Sequence, residues 1–421
     1  MRRRVSTGLR GSGRAARSRD RRARALSAVD AAAALRTRLG ARPRRTVLVD
    51  VRGTLTGGDL LDLVRLHRSG SGRSGTPGTS GVLADEAGTT SGIAALPAAA
   101  PLRQVLVTAL AGDGTLTPRS SGSTGAPRPR ARGPLTPAQI LTLLDLGRRI
   151  GLRAGRSIAC AAPGVHGHGL VAALGALALG APLVDLSHLP AAERVALLHR
   201  TSPAVLTGVP VHLTDLLHAD RELAGGRPLT IPRVVSGSDV LSPSLRADLA
   251  RHFRGRVHDV YGTTETGSLS VDGRPLRGVH LRELDGLLCA RTPFTAGREL
   301  VTDRGEIAAD GTVRVLGRAD GTVSSGGMLH DPAATARVLR SHDGVAAARL
   351  RLMPDARHGV RTLAEVTLAP PAPGTVPPGA EELRALVRDR VGAAAVPREV
   401  RIAGDGEPES PGPAGLSSPG R

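Results

Sequence analysis

Aromatic side chains are almost missing from this sequence of 421 residues. There is no tryptophan, Tyr261 is the single tyrosine, and Phe253 and Phe294 are the only phenylalanines. A core filled by aromatic rings is excluded, and so is nucleic-acid recognition by stacking bases on aromatic platforms. The interior must be built from Ala, Val and Leu, which suits layered α/β architecture. Lysine is absent, so all 57 basic residues are arginines. That bias marks a GC-rich coding sequence rather than a function, yet it removes any chemistry that needs an ε-amine. Cys160 and Cys289 are the only cysteines, each within an apolar run. They read as small buried hydrophobes rather than a disulfide, in keeping with a reducing cytosol. No apolar run reaches the roughly 20 residues that span a bilayer, and the N-terminus lacks the apolar core of a signal peptide.

The net charge of +20 is unevenly spread. Residues 1–45 hold fifteen arginines against Asp20 and Asp30. This stretch reads as a basic arm, disordered at its start and helical over Ala25 to Leu39. Such an arm can meet nucleic acid or an anionic membrane, but the lack of aromatics argues against a specific nucleic-acid partner.

From Thr46 the chain alternates. Thr46–Asp50 and Arg52–Thr56 read as a hairpin and Asp59–Val64 as a helix. Residues 69–81 are rich in Ser and Gly and read as linker. The apolar run Val105–Leu110 reads as a buried strand leading to a glycine-rich loop, Ser120-Ser121-Gly122-Ser123-Thr124-Gly125-Ala126-Pro127-Arg128. Two glycines interleaved with hydroxyl side chains let backbone N–H groups and Oγ atoms turn toward an anion. Beyond it, helices over 136–150, 190–200, 211–218 and 243–253 alternate with short apolar strands at 157–162, 182–185, 204–208 and 233–239. That alternation predicts βαβ units and a parallel sheet, with a ligand crevice at the carboxyl ends of the strands.

Several stretches in order then define a resemblance. After the loop come His166-Gly167-His168-Gly169-Leu170, Tyr261-Gly262-Thr263-Thr264-Glu265, Val301-Thr302-Asp303 and Gly317-Arg318-Ala319-Asp320. In this order they resemble the motifs of the AMP-forming adenylating enzymes: acyl-CoA synthetases, aryl-CoA ligases and adenylation domains. The resemblance runs from about Thr46 to the C-terminus. It implies a large α/β domain of parallel sheets with helices on both faces, over 46–319, and a small mobile α+β domain over 320–421.

The resemblance also implies roles. Ser121, Gly122, Ser123, Thr124 and Gly125 would bind phosphate, with Arg128 beside them. Gly237, Ser238 and Asp239 would lie along the nucleotide, Tyr261 would offer its ring to adenine, and Asp303 and Arg318 would hold the ribose. Thr264 would donate to a phosphate, while Glu265 is a hard oxygen ligand suited to Mg²⁺. His166 and Gly262 would border the acyl pocket, and Asp320 would be the hinge. The implied reaction is ATP-dependent activation of a carboxylic acid, fatty or otherwise apolar, and transfer of the acyl group to coenzyme A or another thiol, a carrier protein's included.

Three departures favour a second reading, a catalytically weak homologue that binds nucleotide in a regulatory role. The N-terminal region is short between Arg65 and Leu102. The family's T-G-D segment is broken, its central Gly missing at Thr302-Asp303. Near the C-terminus, Pro408-Glu409-Ser410-Pro411-Gly412-Pro413 places Pro413 where the family has its catalytic lysine.

Overall fold

The computed structural model describes residues 28–71, 92–112, 115–116, 133–326, 328–355, 357–371 and 376–403. The start of the basic arm, most of the linker-like stretch, the glycine-rich loop 120–128 and the C-terminal 408–413 segment lie outside these residues. The described chain divides into two compact units that meet in sequence between Asp320 and Gly321.

Local chemistry sets the elements of the first unit. Helix α1 (Ala31–Ala41), overlapping the stretch expected to be helical, starts where the Asp30 carboxylate accepts from Ala33 N at 2.9 Å; the expected start at Ala25 lies outside the described residues. Strands β1 (Thr46–Asp50) and β2 (Gly53–Thr56) form the expected hairpin before α2 (Gly57–Ser71). The next element corrects the sequence reading. The run expected as a strand is helix α3 (Leu102–Ala111), and Leu102, Val105, Leu106, Ala109 and Leu110 are all buried. Their spacing is that of one helix face, and Pro101 and Gly112 bound it.

Helix α4 (Pro137–Arg149) begins in a capping box between Thr136 and Gln139. There follow β3 (Ile158–Cys160), α5 (Gly167–Leu179), β4 (Leu183–Asp185), α6 (Ala191–Thr201), β5 (Val205–Gly208), α7 (Pro210–Leu223), β6 (Arg233–Gly237), α8 (Pro243–Phe253), β7 (Arg256–Thr263), β8 (Gly267–Val271) and β9 (Arg274–Pro275).

Nine strands make one sheet in the order β2-β1-β4-β3-β5-β6-β7-β8-β9. Pairing is parallel from β1 to β7, and antiparallel where β2, β8 and β9 join. One face is packed by Leu and Ala from α1, α2, α3 and α5, the other by residues of α6, α7 and α8 such as Leu198, Leu217 and Phe253. With apolar cover on both sides the inner strands β3, β4 and β5 are buried along their whole length, as in other parallel sheets. A second, antiparallel sheet of β10 (His280–Leu284), β11 (Leu287–Arg291), β12 (Glu299–Ile307) and β13 (Val313–Arg318) completes this unit.

The second unit holds the hairpin β14 (Val323–Ser325) and β15 (Met328–His330). It also holds α9 (Pro332–Arg340), the long pair β16 (Val345–Asp355) and β17 (Gly359–Leu368), α10 (Ala380–Arg390), and β18 (Glu399–Ala403) parallel to β17. Leu339, Val366, Leu383 and Val387 form its own core. Cys160 and Cys289 are buried free thiols, as expected. No helix among the described residues is long and apolar enough to cross a membrane.

Candidate active site

The parallel ladder aligns Gly237, the last residue of β6, with Val260 of β7. Ser236–Asp239 and Tyr261–Glu265 therefore emerge side by side at the carboxyl edge, where α/β sheets bind ligands. Ser236 is fully buried and its Oγ has no hydrogen-bond partner. Ser238 turns the chain with φ +68°, a left-handed conformation that is uncommon without glycine. The Asp239 carboxylate accepts from Val240 N at 2.8 Å. A Cβ on Gly237 would lie 3.0 Å from both Val260 O and His168 Nδ1. The His168 ring thus lies against this glycine, with its Nε2 2.7 Å from Thr207 Oγ1 at the end of β5. Burial pulls the His168 imidazole down to about 4, so it is neutral at pH 7. His166, the residue singled out by sequence, is the N-cap of α5.

Tyr261 reaches from β7 to the second sheet. Its hydroxyl donates to Asp303 Oδ2 at 2.7 Å, with Thr302 Oγ1 at 2.9 Å. The β12–β13 register sets Asp303 opposite Arg318, and Arg318 Nη1 lies 3.0 Å from Asp303 Oδ1. Nη2 of the same guanidinium lies 3.2 Å from Asp320 Oδ2. Asp303 is only 3% exposed, and burial pushes its carboxyl above the ordinary value in spite of Tyr261 and Arg318. Burial, reinforced by the Asp303 charge, raises the Tyr261 hydroxyl and keeps it a donor. Oδ1 faces Arg318 alone, and a carboxylate oxygen accepts more than one donor, so it still has room for another.

Thr264 and Glu265 stand in the turn joining β7 to β8, which hydroxyl groups pin. Thr263 Oγ1 accepts from the Glu265 and Thr266 amides, each at 3.2 Å, and Thr292 Oγ1 donates to Thr266 O at 3.0 Å. Gly262 is dictated by the same turn. A Cβ there would sit 2.5 Å from Gly267 O and 2.7 Å from Ser268 Cα, so the close approach is to the backbone of β8. At Gly267, φ is +72° and a Cβ would lie 2.9 Å from the Phe294 ring. The described residues contain no group of three or more His, Cys, Asp or Glu side chains placed to hold a metal ion.

A tyrosine from the parallel sheet and an arginine from the antiparallel one thus converge on one buried carboxylate. Residues 97–292 match the model of the AMP-binding enzyme family. The match spans just under half of the chain. The chain is similar to a probable 2-succinylbenzoate–CoA ligase of Mycobacterium tuberculosis, with 28% identity over 324 residues, covering 69% of this chain and 79% of the relative. Among solved structures it is similar to the amide bond synthetase McbA from Marinactinospora thermotolerans, with a TM-score of 0.68 and 20% identity, covering 90% of this chain and 97% of that one. It is also similar to a malonyl-CoA ligase solved with methylmalonyl-CoA and AMP bound, with a TM-score of 0.61 and 24% identity, covering 87% and 97%. At these identities the structural likeness establishes the fold, which is the α/β fold of the AMP-forming ligases.

The structure gathers Gly237, Ser238, Asp239, Tyr261, Gly262, Thr264 and Glu265 at one sheet edge. It brings Asp303, Arg318 and Asp320 together on the second sheet, linked to the first by Tyr261. Ser121–Gly125 and Arg128 lie outside the described residues. Sequence reasoning missed His168 and Thr302. The pattern His-Gly-His pointed to the first histidine, but α5 begins at Gly167, and its first turn aims the second one at Thr207.

Proposed function

We propose that the protein uses ATP to activate a carboxylic acid and passes the acyl group to a thiol such as coenzyme A. The acid's carboxylate oxygen attacks the α-phosphorus of ATP, and the bond from that phosphorus to the pyrophosphate oxygen breaks. The thiol sulfur then displaces AMP from the acyl carbon. The buried Asp303 carboxylate, clamped by Tyr261 and Arg318, is the observation that carries this reading. Its open Oδ1 acceptor suits a ribose hydroxyl, and burying a carboxylate is costly unless a ligand or partner uses it.

The other roles are assigned from the resemblance of the motifs. The Tyr261 ring lines the adenine side, Arg318 adds positive charge beside the ribose, and Gly237–Asp239 run along the nucleotide. Thr264 donates to a phosphate, and Ser121–Gly125 with Arg128 cradle the leaving pyrophosphate. His166 and Gly262 border the acid, and Asp320 is the hinge to a mobile small domain. Glu265 is one carboxylate in a pinned turn. That fits Mg²⁺ carried mainly by phosphate oxygens and water, which would neutralise charge on the triphosphate. The relatives' names point to succinylbenzoate and methylmalonyl groups, so polar acids belong beside fatty acids among the substrates to try.

A second reading, nucleotide binding with little turnover, is favoured by the absence of lysine and by Pro413. Electrostatic stabilisation by one such donor is worth about 10²–10³ in rate. The deciding measurement is pyrophosphate release over a panel of aliphatic, aryl and dicarboxylic acids, by wild type and Pro413→Lys. Release by the wild type, raised about tenfold or more in the variant, supports a ligase slowed by its missing lysine. Silence from both proteins, with AMP still bound, establishes the second reading.

A further inference from the structure

The edge of the large sheet opposite the candidate active site carries an unusual charge. The register Leu48–Leu183–Ile158–Val205–Arg233–Arg256 runs straight across six parallel strands. The turns leading into these strands therefore lie in a row, spaced by about 4.8 Å per strand and roughly 24 Å long. Segments 42–45, 153–156, 200–204, 227–233 and 254–256 contain ten arginines and no Asp or Glu. None of those arginines forms an ion pair among the described residues, and most are exposed. The row is stitched together by Gly155 N to Leu179 O at 3.3 Å, Ala204 N to Ser157 O at 3.1 Å and Arg256 N to Pro232 O at 3.1 Å. Arg45 Nη2 lies 2.6 Å from where a Cβ on Gly155 would stand, so guanidinium groups of one turn reach over the next.

A modest explanation exists. Six helices, α1 and α4 to α8, end at this edge, and basic residues offset the negative ends of helix dipoles. Each end is worth roughly half a charge, so the six account for about three of the ten arginines. About seven positive charges remain without a counter-charge, in one line.

We propose that this amino-terminal edge binds the phosphate backbone of nucleic acid without reading its sequence. Arginine presents forked donors that match phosphate oxygens, and a line of them matches a polymer with regularly repeated charge. The scarcity of aromatics excludes base stacking but not backbone contacts. An anionic bilayer fits less well. Leu223 is the one exposed large apolar residue bordering these turns, which leaves almost nothing to insert. Docking there would also turn the active-site edge away from the membrane. A nucleic acid held at this edge leaves the opposite edge open.

The test is fluorescence anisotropy of the full chain with a labelled 20-base-pair duplex and a 20-nucleotide RNA of mixed sequence, at several salt concentrations. We expect binding with a slope of log K against log salt of about −5 or steeper. Reversing four charges (Arg153→Glu, Arg156→Glu, Arg254→Glu, Arg256→Glu) should weaken binding at least tenfold and make the slope shallower by about three to four. The same number of reversals at Arg349, Arg351, Arg388 and Arg390 should change binding by less than about threefold, a control for net charge. If the Glu variant loses its melting transition, the matching Gln variant is measured and should show the same direction. Absence of binding by wild type at about 0.1 M salt overturns the proposal. So does equal weakening by both sets of reversals, or binding to phosphatidylserine vesicles without binding to either nucleic acid.

Discussion

Replacing Tyr261 by Phe removes one hydroxyl and leaves the ring in place. The phenolic oxygen is 2.7 Å from the buried Asp303 Oδ2, so the variant strips a charge-assisted hydrogen bond from a carboxylate that is 3% exposed. Such bonds are worth about 1.5–3 kcal/mol, and the deserted acceptor stays buried. The hydroxyl's second neighbour, Thr302 Oγ1, already donates to Leu288 O at 3.0 Å and cannot turn its proton to the carboxylate. We therefore expect Tyr261→Phe to destabilise the larger unit by about 1.5–3 kcal/mol in urea unfolding followed by circular dichroism. A double-mutant cycle isolates the pair. Asp303→Asn removes the charge, and in that background Tyr261→Phe should cost no more than about 1 kcal/mol. Single effects that simply add, or a Tyr261→Phe loss below about 0.5 kcal/mol, would refute the clamp and leave the tyrosine as packing only.

Asp303→Ala should abolish the rise in melting temperature that AMP gives the wild type, a gain of about 2.7 kcal/mol when AMP is at 100 times its Kd; a full shift in the variant would remove Asp303 from the site. Gly262→Ala pushes a Cβ to 2.5 Å from Gly267 O, a backbone atom that cannot swing aside, so a loss of about 1–3 kcal/mol is expected in thermal or urea unfolding, and a neutral result would mean the β7–β8 turn is loose. Acid should weaken the larger unit: burial holds His168 and His212 at about 4 when folded, whereas each titrates near 6.5 when unfolded. The unfolded chain thus takes up more protons between those values, and stability falls as pH drops from 6.5 to 4, by up to about 3 kcal/mol per histidine. His168→Gln should reduce that slope by about one proton in unfolding experiments across the window, and parallel curves for the two proteins would sink the assignment.

Much of the architecture is written in local sequence. Capping residues such as Thr136 with Gln139 and Asp30 fix helix starts without outside help, and strand–helix alternation from residue 157 to 253 requires a parallel sheet because each strand is apolar on both faces. The site stretches at Gly237–Asp239 and Tyr261–Glu265 were legible for the same reason, since they follow strands and contain the small and hydroxyl residues that tight turns need. Other features depend on partners distant in the chain. The six residues Val105–Leu110, five of them apolar, suit strand or helix equally until a surface of Leu and Ala selects the helical face. The antiparallel strands β10–β12 mix polar and apolar residues without a regular period, and pairing identifies them. Tyr261 and Asp303 are 42 residues apart, and no periodicity says that one will donate to the other. His168 outranks His166 because the first turn of α5 points it at Thr207, 39 residues on. The arginine row is invisible in sequence for the simplest reason: five separate turns become neighbours only when strands 4.8 Å or so apart bring their amino ends into one line.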